Sequence, residues 1–316
     1  MPARNYAILG TGAVGGYYGS LLARAGFEVH FLLHSDYEHV AAHGLFVETA
    51  TGSFTLPKVH AYRDSRDMPP CDVVVVALKS TRNHLLPALL PPVLKDAGVV
   101  VMLQNGLGVD EAAAAVVGPQ RVLGGLCFLC SNKAGPGHIR HLDFGAGKLG
   151  AYAPDPRTPP AGSPRAEAVA ADLRAAGVPA QAVADLLLVR WEKLIWNIPF
   201  NGLSVVLDAT TRQIMENPDG LALASALMHE VAAAARACGR NIPASYIQAR
   251  LDDTRRMVPY RTSMKIDYDE HRPMEVEAIF GNPMRAAVQA GCSAPLIEGL
   301  YHQLRYLDAR LQEPRS

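Results

Sequence analysis

Apolar and polar positions follow two different rhythms along this chain. Up to about residue 184, short apolar runs alternate with amphipathic stretches. The runs Tyr6–Leu9, Glu28–Leu33, Cys71–Leu78, Val99–Leu103, Val122–Ser131 and Lys148–Ala153 read as strands. Cys71–Leu78 (CDVVVVAL) is a continuous apolar run from Val73 onward, which suits a parallel strand buried on both faces. Helical patterns follow at Asn83–Lys95 and Arg165–Ala176, and Val178–Ala182 closes the alternating region. Residues 44–63 read as two short strands with a turn at Thr51-Gly52. Ala134–Asp143 reads as a loop or hairpin, and the proline-rich Ala153–Glu167 as a surface loop. From Asp185 onward no convincing strand is found. Long helical patterns cover Asp185–Leu207, Leu221–Cys238, Tyr246–Met257, Glu275–Ala290 and Ala294–Leu311.

The first strand ends in Gly10-Thr11-Gly12-Ala13-Val14-Gly15, a G-x-G-x-x-G, and an amphipathic helix runs on to Ala25. In such a turn the first glycine permits the bend, the second lets backbone approach a pyrophosphate, and the third lets helix pack on strand. The N-terminus of the helix then offers N–H groups and a positive dipole end to phosphates. Strand before, helix after and a second strand beyond Gly26 give the motif its expected context. The fold class predicted is α/β: a Rossmann-type doubly wound sheet over residues 1–184, followed by an all-α domain over 185–316.

Strand ends hold the candidate chemistry. An NAD site usually has Asp or Glu at the end of the second strand for the ribose hydroxyl. Here that position is Leu33, followed by His34 and Ser35, both able to donate to a 2′-phosphate. This favours NADP, although Asp36 reaches the ribose if the register shifts, and His34 also reads as an ordinary loop histidine. Lys79 and Ser80 follow the apolar run at 71–78, and Gln104-Asn105-Gly106 follows the next strand. Polar groups at two successive strand ends point to a ligand site at one sheet edge.

In the second region, Leu187–Ser204 (LLVRWEKLIWNIPFNGLS) places Lys193, Asn197 and Asn201 at i, i+4 and i+8. They form one polar stripe on an otherwise apolar helix, which is costly unless polar partners or a polar ligand meet it. The stripe reads either as a solvated face or as the wall of a substrate cleft. Thr262–Gly281 is a second polar cluster, with Ser263 and Asp267 ahead of a helix whose first turn holds Glu275; taken alone, its charges read as solvated.

Composition removes several alternatives. Thirty basic residues balance thirty acidic ones, so no global field draws nucleic acid or an anionic membrane. No apolar stretch is long enough to span a bilayer, and the N-terminal run is too short for a signal peptide. Five scattered cysteines give no disulfide framework and suit a reducing cytoplasm. Cys127 and Cys130 would point to opposite faces of a strand, and His138 and His141 read as structural or solvated, so no metal is expected.

Taken together, these motifs resemble the ketopantoate reductase (2-dehydropantoate 2-reductase) family. The resemblance rests on Gly10–Gly15, Lys79, Gln104-Asn105-Gly106, Lys193-Leu194 with Asn197 and Asn201, Thr262-Ser263-Met264 with Asp267, and Arg272-Pro273-Met274-Glu275 with Glu277 and Gly281. It implies NADPH-dependent reduction of ketopantoate to pantoate in pantothenate and coenzyme A synthesis. It makes Lys193 the general acid and gives Glu275 the substrate hydroxyl. Lys79, Asn105, Asn197, Asn201 and Ser263 would hold the substrate. Gly10, Thr11, Gly12, Ala13, Val14, Gly15, His34, Ser35, Lys79, Gln104, Asn105 and Glu275 would meet the cofactor. Two positions depart from the pattern: His34 stands where arginine is common, and Thr262 replaces a serine; Pro199 should kink the asparagine helix. Rival readings are a reductase of another 2-keto acid and a non-enzymatic NADP sensor. The oligomeric state is left open, a homodimer included.

Overall fold

The computed structural model describes residues 4–50, 52–155, 157, 162–257 and 261–312. The chain divides into two compact units. One runs to Gln104 and resumes over Val109–Leu186; the other comprises Asn105–Gly108 and everything from Leu187.

The first unit is built on a 10-stranded sheet. Its strands are β1 (Tyr6–Leu9), β2 (Val29–Leu32), β3 (Leu45–Thr49), β4 (Phe54–Leu56), β5 (His60–Tyr62), β6 (Cys71–Val76), β7 (Leu94–Met102), β8 (Val122–Gly135), β9 (His138–Ala151) and β10 (Ala180–Ala182). Helices α1 (Ala13–Arg24), α2 (Tyr37–His43), α3 (Leu86–Val93), α4 (Val109–Val117) and α5 (Pro164–Ala175) accompany it. The order β5-β2-β1-β6-β7-β8 is parallel throughout and reverses direction between β1 and β6, as a doubly wound sheet does.

Alternation of side chains sorts the core into two layers. Tyr6 and Ile8, Val73 and Val75, and Val99 and Val101 pack with α1 and α5 residues such as Leu22 and Val169. Their alternates Ala7 and Leu9, Val74 and Val76, and Val100 and Met102 pack with Leu86 and Leu90 of α3 and Ala113 of α4. The apolar run Val73–Val76 is thus explained by burial on both faces.

Two details differ from the sequence reading. Residues 44–63 form three strands rather than two. β3 and β4 pair with each other beside β9, while β5 lies beside β2 at the opposite end of the sheet. Thr51, in the predicted turn, lies outside the described residues, as do parts of the predicted loop at 153–167. Of the loop or hairpin expected at 134–143, the hairpin forms: β8 and β9 turn tightly at Pro136-Gly137, and His138–Asp143 continues as strand with Ile139 buried and Arg140 exposed. Helices α2 and α4 lack the long apolar period that a sequence scan detects; α4 is mostly alanine and valine.

The second unit holds no strand among its described residues. It contains α6 (Leu186–Val206), α7 (Thr211–Glu216), α8 (Pro218–Ala237), α9 (Ala244–Arg256), α10 (Ser263–Asp269), α11 (Asn282–Gln289) and α12 (Pro295–Gln312), with a π-helical turn at Glu277–Gly281 before α11. Its centre is α6: Trp191, Ile195, Ile198 and Phe200 are fully buried. Phe280 and Leu300 pack so closely on Gly202 that an added Cβ would fall 2.4 Å from Leu300 Cδ2. The helix runs through Pro199 without interruption. α10 was missed because it is short; the Thr262 hydroxyl caps it by accepting from the Lys265 N–H (3.2 Å).

Candidate functional site

In the first unit, each of the three glycines meets a different physical test. Gly10 has φ +100°, and a Cβ there would lie 2.6 Å from the Leu78 nitrogen. A Cβ on Gly15 would lie 2.3 Å from the Gly10 carbonyl oxygen and 2.9 Å from both Ala77 and Ile8. Gly12 instead faces open space, with no atom within 4 Å of a built Cβ. Gly10 and Gly15 are therefore glycine because protein fills the space; nothing in the protein explains Gly12. No side chain caps α1, and its first turn holds no acid. Thr11 donates from its hydroxyl to the Leu32 carbonyl (2.9 Å), fastening the turn to the end of β2, while Ala13 and Val14 are half-buried. A turn open at Gly12 with uncapped N–H groups behind it fits a pyrophosphate.

At the end of β2, Leu33 is buried, and His34 and Ser35 are exposed. Asp36 is only 6% exposed; it forms an ion pair with Lys133 Nζ (2.7 Å) and accepts from the Gly137 N–H (3.2 Å). Its carboxylate is thus committed to the β8–β9 hairpin. Lys79, half-buried, precedes a 3₁₀ turn at Ser80–Leu85 after β6. Gln104 donates from Nε2 to the Leu78 carbonyl (2.9 Å) and to Asn83 Oδ1 (2.6 Å), which binds the ends of β6 and β7 together.

Asn105 does not stay with them. Residues Asn105–Gly108 belong to the second unit, where Leu107 is part of the hydrophobic core. Leu107 N–H donates to the Ala278 carbonyl (2.9 Å), and Arg190 of α6 donates to the Gly106 carbonyl (3.2 Å). The loop is therefore tied to α6 one turn before Lys193, and to the π-helical turn just after Glu275. Reading along the chain gave no sign of this, because Asn105 directly follows a strand of the other unit.

Along α6, Lys193 is half-buried, whereas Asn197 and Asn201 are 5% and 3% exposed. The Asn197 Nδ2 is buried with no hydrogen-bond partner in the protein. A buried amide donor left without a partner costs about 1–3 kcal/mol, so a bound polar group is the expected acceptor.

Ser263 is the first residue of α10 and is half-buried; Thr262 before it meets the Ser204 hydroxyl (2.8 Å). Glu275 is 5% exposed and lies just ahead of its helix rather than in the first turn. The segment leading to it is held from two sides. Arg272 donates from Nε to the buried Asp267 carboxylate (3.0 Å), and the Arg272 N–H donates to the Asp267 carbonyl (2.8 Å). Met274 N–H donates to Asp308 of α12 (2.8 Å). Burial and the nearby Asp267 charge push the Asp308 carboxyl up, against the pull of that N–H. The sequence singled out Asp267, Arg272 and Glu275 but not Asp308, Arg190 or Asn282, which carry no motif spacing. A π turn close to a polar residue is common at functional sites.

The remaining sequence candidates are accounted for locally. His138 meets Glu48 (2.8 Å), and His141 stacks on Tyr17. Cys127 and Cys130 are buried and form no disulfide. Among the described residues, no group of three or more His, Cys, Asp or Glu could hold a metal, and no helix is long and apolar enough to cross a membrane.

A doubly wound sheet with this glycine turn, joined to a helical unit with a buried polar stripe, defines the class of NAD(P)-dependent oxidoreductases. Comparison with known proteins narrows it. The profile described as ketopantoate reductase PanE/ApbA matches residues 6–154, and that of ketopantoate reductase PanE/ApbA C terminal matches residues 185–308. The chain is 56% identical to a 2-dehydropantoate 2-reductase of Nostoc over 98% of its own length and 97% of the relative's. The crystal structure of 2-dehydropantoate 2-reductase from Geobacter metallireducens superposes with a TM-score of 0.91 at 41% identity, covering 96% of this chain and 99% of that one. The fold is also shared at 19% identity with D-mandelate dehydrogenase (TM-score 0.87). The chain belongs to the ketopantoate reductase family.

Proposed function

We propose that this protein reduces 2-dehydropantoate (ketopantoate) to pantoate with NADPH, in cytoplasmic pantothenate and coenzyme A synthesis. The name of the Nostoc relative supports the substrate. The observation that carries the reading is the stripe Lys193–Asn197–Asn201, with its partnerless buried Asn197 amide, on the central helix of the second unit. When bound, NADPH supplies hydride to the keto carbon. Lys193 supplies the matching proton to the carbonyl oxygen, so that a C–H and an O–H bond form as the C=O double bond is lost. Asn197, Asn201, Asn105 and Ser263 orient the keto acid through its carboxylate and keto oxygen, Glu275 accepts from its hydroxyl, and Lys79 adds positive charge for the carboxylate.

The turn from Gly10 to Gly15, with Thr11, Ala13 and Val14, takes the pyrophosphate; Lys79, Gln104, Asn105 and Glu275 complete the cofactor contacts. The exposed His34 and Ser35 receive the 2′-phosphate. NADPH over NADH is supported by Asp36, which is buried and pairs through Oδ2 with Lys133. Five cysteines outside any disulfide support a reducing compartment.

The test is loss of NADPH absorbance with the purified protein, using ketopantoate beside pyruvate and branched 2-keto acids. We expect kcat/KM for ketopantoate to exceed the others by about tenfold or more. Equal rates, or a preference for another keto acid, would assign a different substrate. No turnover with any keto acid would leave the sensor reading.

A further inference from the structure

The loop Asn105–Gly108 is shaped by the second unit through a residue that no motif marks. Asn282, the first residue of α11, donates from Nδ2 to the Leu107 carbonyl (2.7 Å). Its Oδ1 accepts from Arg285 (2.6 Å), which also binds Glu277 (2.7 Å), and Glu277 accepts from the Tyr301 hydroxyl of α12 (2.7 Å). The amide is thus oriented from behind, with the oxygen toward Arg285 and the nitrogen toward the loop.

The loop is moulded to it. Gly108 has φ +79°, and an added Cβ would fall 2.6 Å from Asn282 Nδ2. Gly106 has φ +91°, and an added Cβ would fall 2.1 Å from the Ala278 carbonyl oxygen. Between these two left-handed glycines, Leu107 is 7% exposed in the core, its N–H on Ala278 and its C=O on Asn282. With both peptide groups and the side chain of Leu107 fixed, Asn105 two residues earlier has little freedom of position.

We propose that Asn282 is a positioning residue that sets Asn105 for the substrate. It acts by clamping the Leu107 carbonyl and touches neither substrate nor cofactor. This role in turnover rests on the ketopantoate reading; the clamp itself does not.

Two readouts separate them. Asn282→Asp keeps the size and the Arg285 contact but removes the donor to Leu107. In hydrogen exchange of the full chain without ligand, the Leu107 amide should exchange at least about tenfold faster in Asn282→Asp than in the parent, with amides of α6 unchanged. Unchanged protection would overturn the clamp whatever the substrate is. In turnover, Asn282→Asp should lower kcat/KM for ketopantoate about tenfold, with a smaller loss of NADPH affinity because Asn105 also meets the cofactor. In an Asn105→Ala background the same substitution should cost almost nothing, because its route is already cut. Equal cost in both backgrounds would overturn the role through Asn105. Asn282→Ala run in parallel removes the charge that Asp introduces and should follow the same pattern. If the parent shows no turnover with ketopantoate, the substrate reading fails and the exchange experiment alone decides the clamp.

Discussion

The two units position polar groups by different means. In the first, backbone does the work. Strand ends, a glycine turn and an uncapped helix leave N–H groups that the proposed reading gives to a phosphate, and the side chains at the turn are small or absent. In the second, side chains do it. Asp267 holds Arg272, Asp308 holds Met274, and Asn282 holds Leu107, so the polar candidates Glu275 and Asn105 are each set by a residue on another helix or segment. A phosphate is a large, generic anion that a backbone concavity can meet. A keto acid needs donors and acceptors at defined points, which only oriented side chains supply. Substitutions should therefore have separable consequences in the two units.

The largest separation is expected at Lys193. Removing a positioned general acid typically costs about 10²–10⁴-fold in rate. Lys193→Ala should lower kcat by that order, while NADPH affinity, measured by fluorescence titration, stays near the parent value. The high-pH limb of the rate profile, set by deprotonation of the acid, should disappear. A kcat within about fivefold of the parent, with chemistry rate-limiting, would move the proton to water or to Lys79. Glu275→Ala should differ by weakening substrate binding as well, seen as a raised KM.

The glycine turn gives the next largest contrast, and it lies within one motif. Gly15→Ala places a methyl 2.3 Å from a backbone carbonyl. Overpacking of this kind costs about 1–3 kcal/mol, so the midpoint of denaturant unfolding should fall. Gly12→Ala meets nothing within 4 Å. It should leave stability within about 1 kcal/mol of the parent but weaken NADPH binding about tenfold or more, because the methyl takes the room of the pyrophosphate. Intact NADPH affinity in Gly12→Ala would show that the open face of the turn is not where the phosphates bind.

The same contrast governs what could be read in advance. The sheet unit was legible because its signals are local: an apolar run buried on both faces, three glycines at fixed spacing, polar residues just past strand ends. The errors there came where pairing is not local. β5 leaves its neighbours for the far end of the sheet. In the helical unit, the stripe Lys193–Asn197–Asn201 was legible because helical periodicity exposes it. The supports were not. Asn282 and Asp308 act on backbone groups far away in sequence, and any residue type can offer a backbone carbonyl or N–H. Asn105 reads as a strand-end residue only because the chain passes through one unit on its way into the other.

Cofactor choice is a smaller effect confined to the first unit. His34 is exposed, and arginine there would offer a charge-assisted, bidentate contact to a 2′-phosphate. His34→Arg should tighten NADPH by about 1 kcal/mol, roughly fivefold, and leave NADH unchanged. Comparing kcat/KM for the two cofactors checks this. A parent preference for NADH would mean that Asp36 or another group binds the ribose hydroxyl.

The smallest effect tests whether the side-chain supports of the second unit can be seen in its stability. Burial pushes the Glu277 carboxyl up, but hydrogen bonds from Tyr301 and Arg285 outweigh it and hold the group below its ordinary value of 4.5. A carboxyl lowered in the fold favours the folded state above its unfolded pKa, and that contribution is lost as pH falls through the folded value. Asp308 is the opposite case. Burial raises it first and the Asp267 charge adds to this, so its contribution is fully present below the unfolded value and is lost as pH rises through the folded one. Glu277 is more than half exposed, so solvent screens its ion pair with Arg285 and the stabilisation is about 0.5 kcal/mol. In denaturant unfolding, Glu277→Gln should therefore be less stable than the parent at neutral pH, with the gap closing as pH falls below 4.5. Asp308→Asn, which keeps an acceptor for the Met274 N–H, should gain on the parent as pH rises from the same region. Parallel pH curves for all three proteins would mean that neither carboxylate is coupled to folding, and that the supports around Glu275 and Asn282 are held by packing rather than by charge.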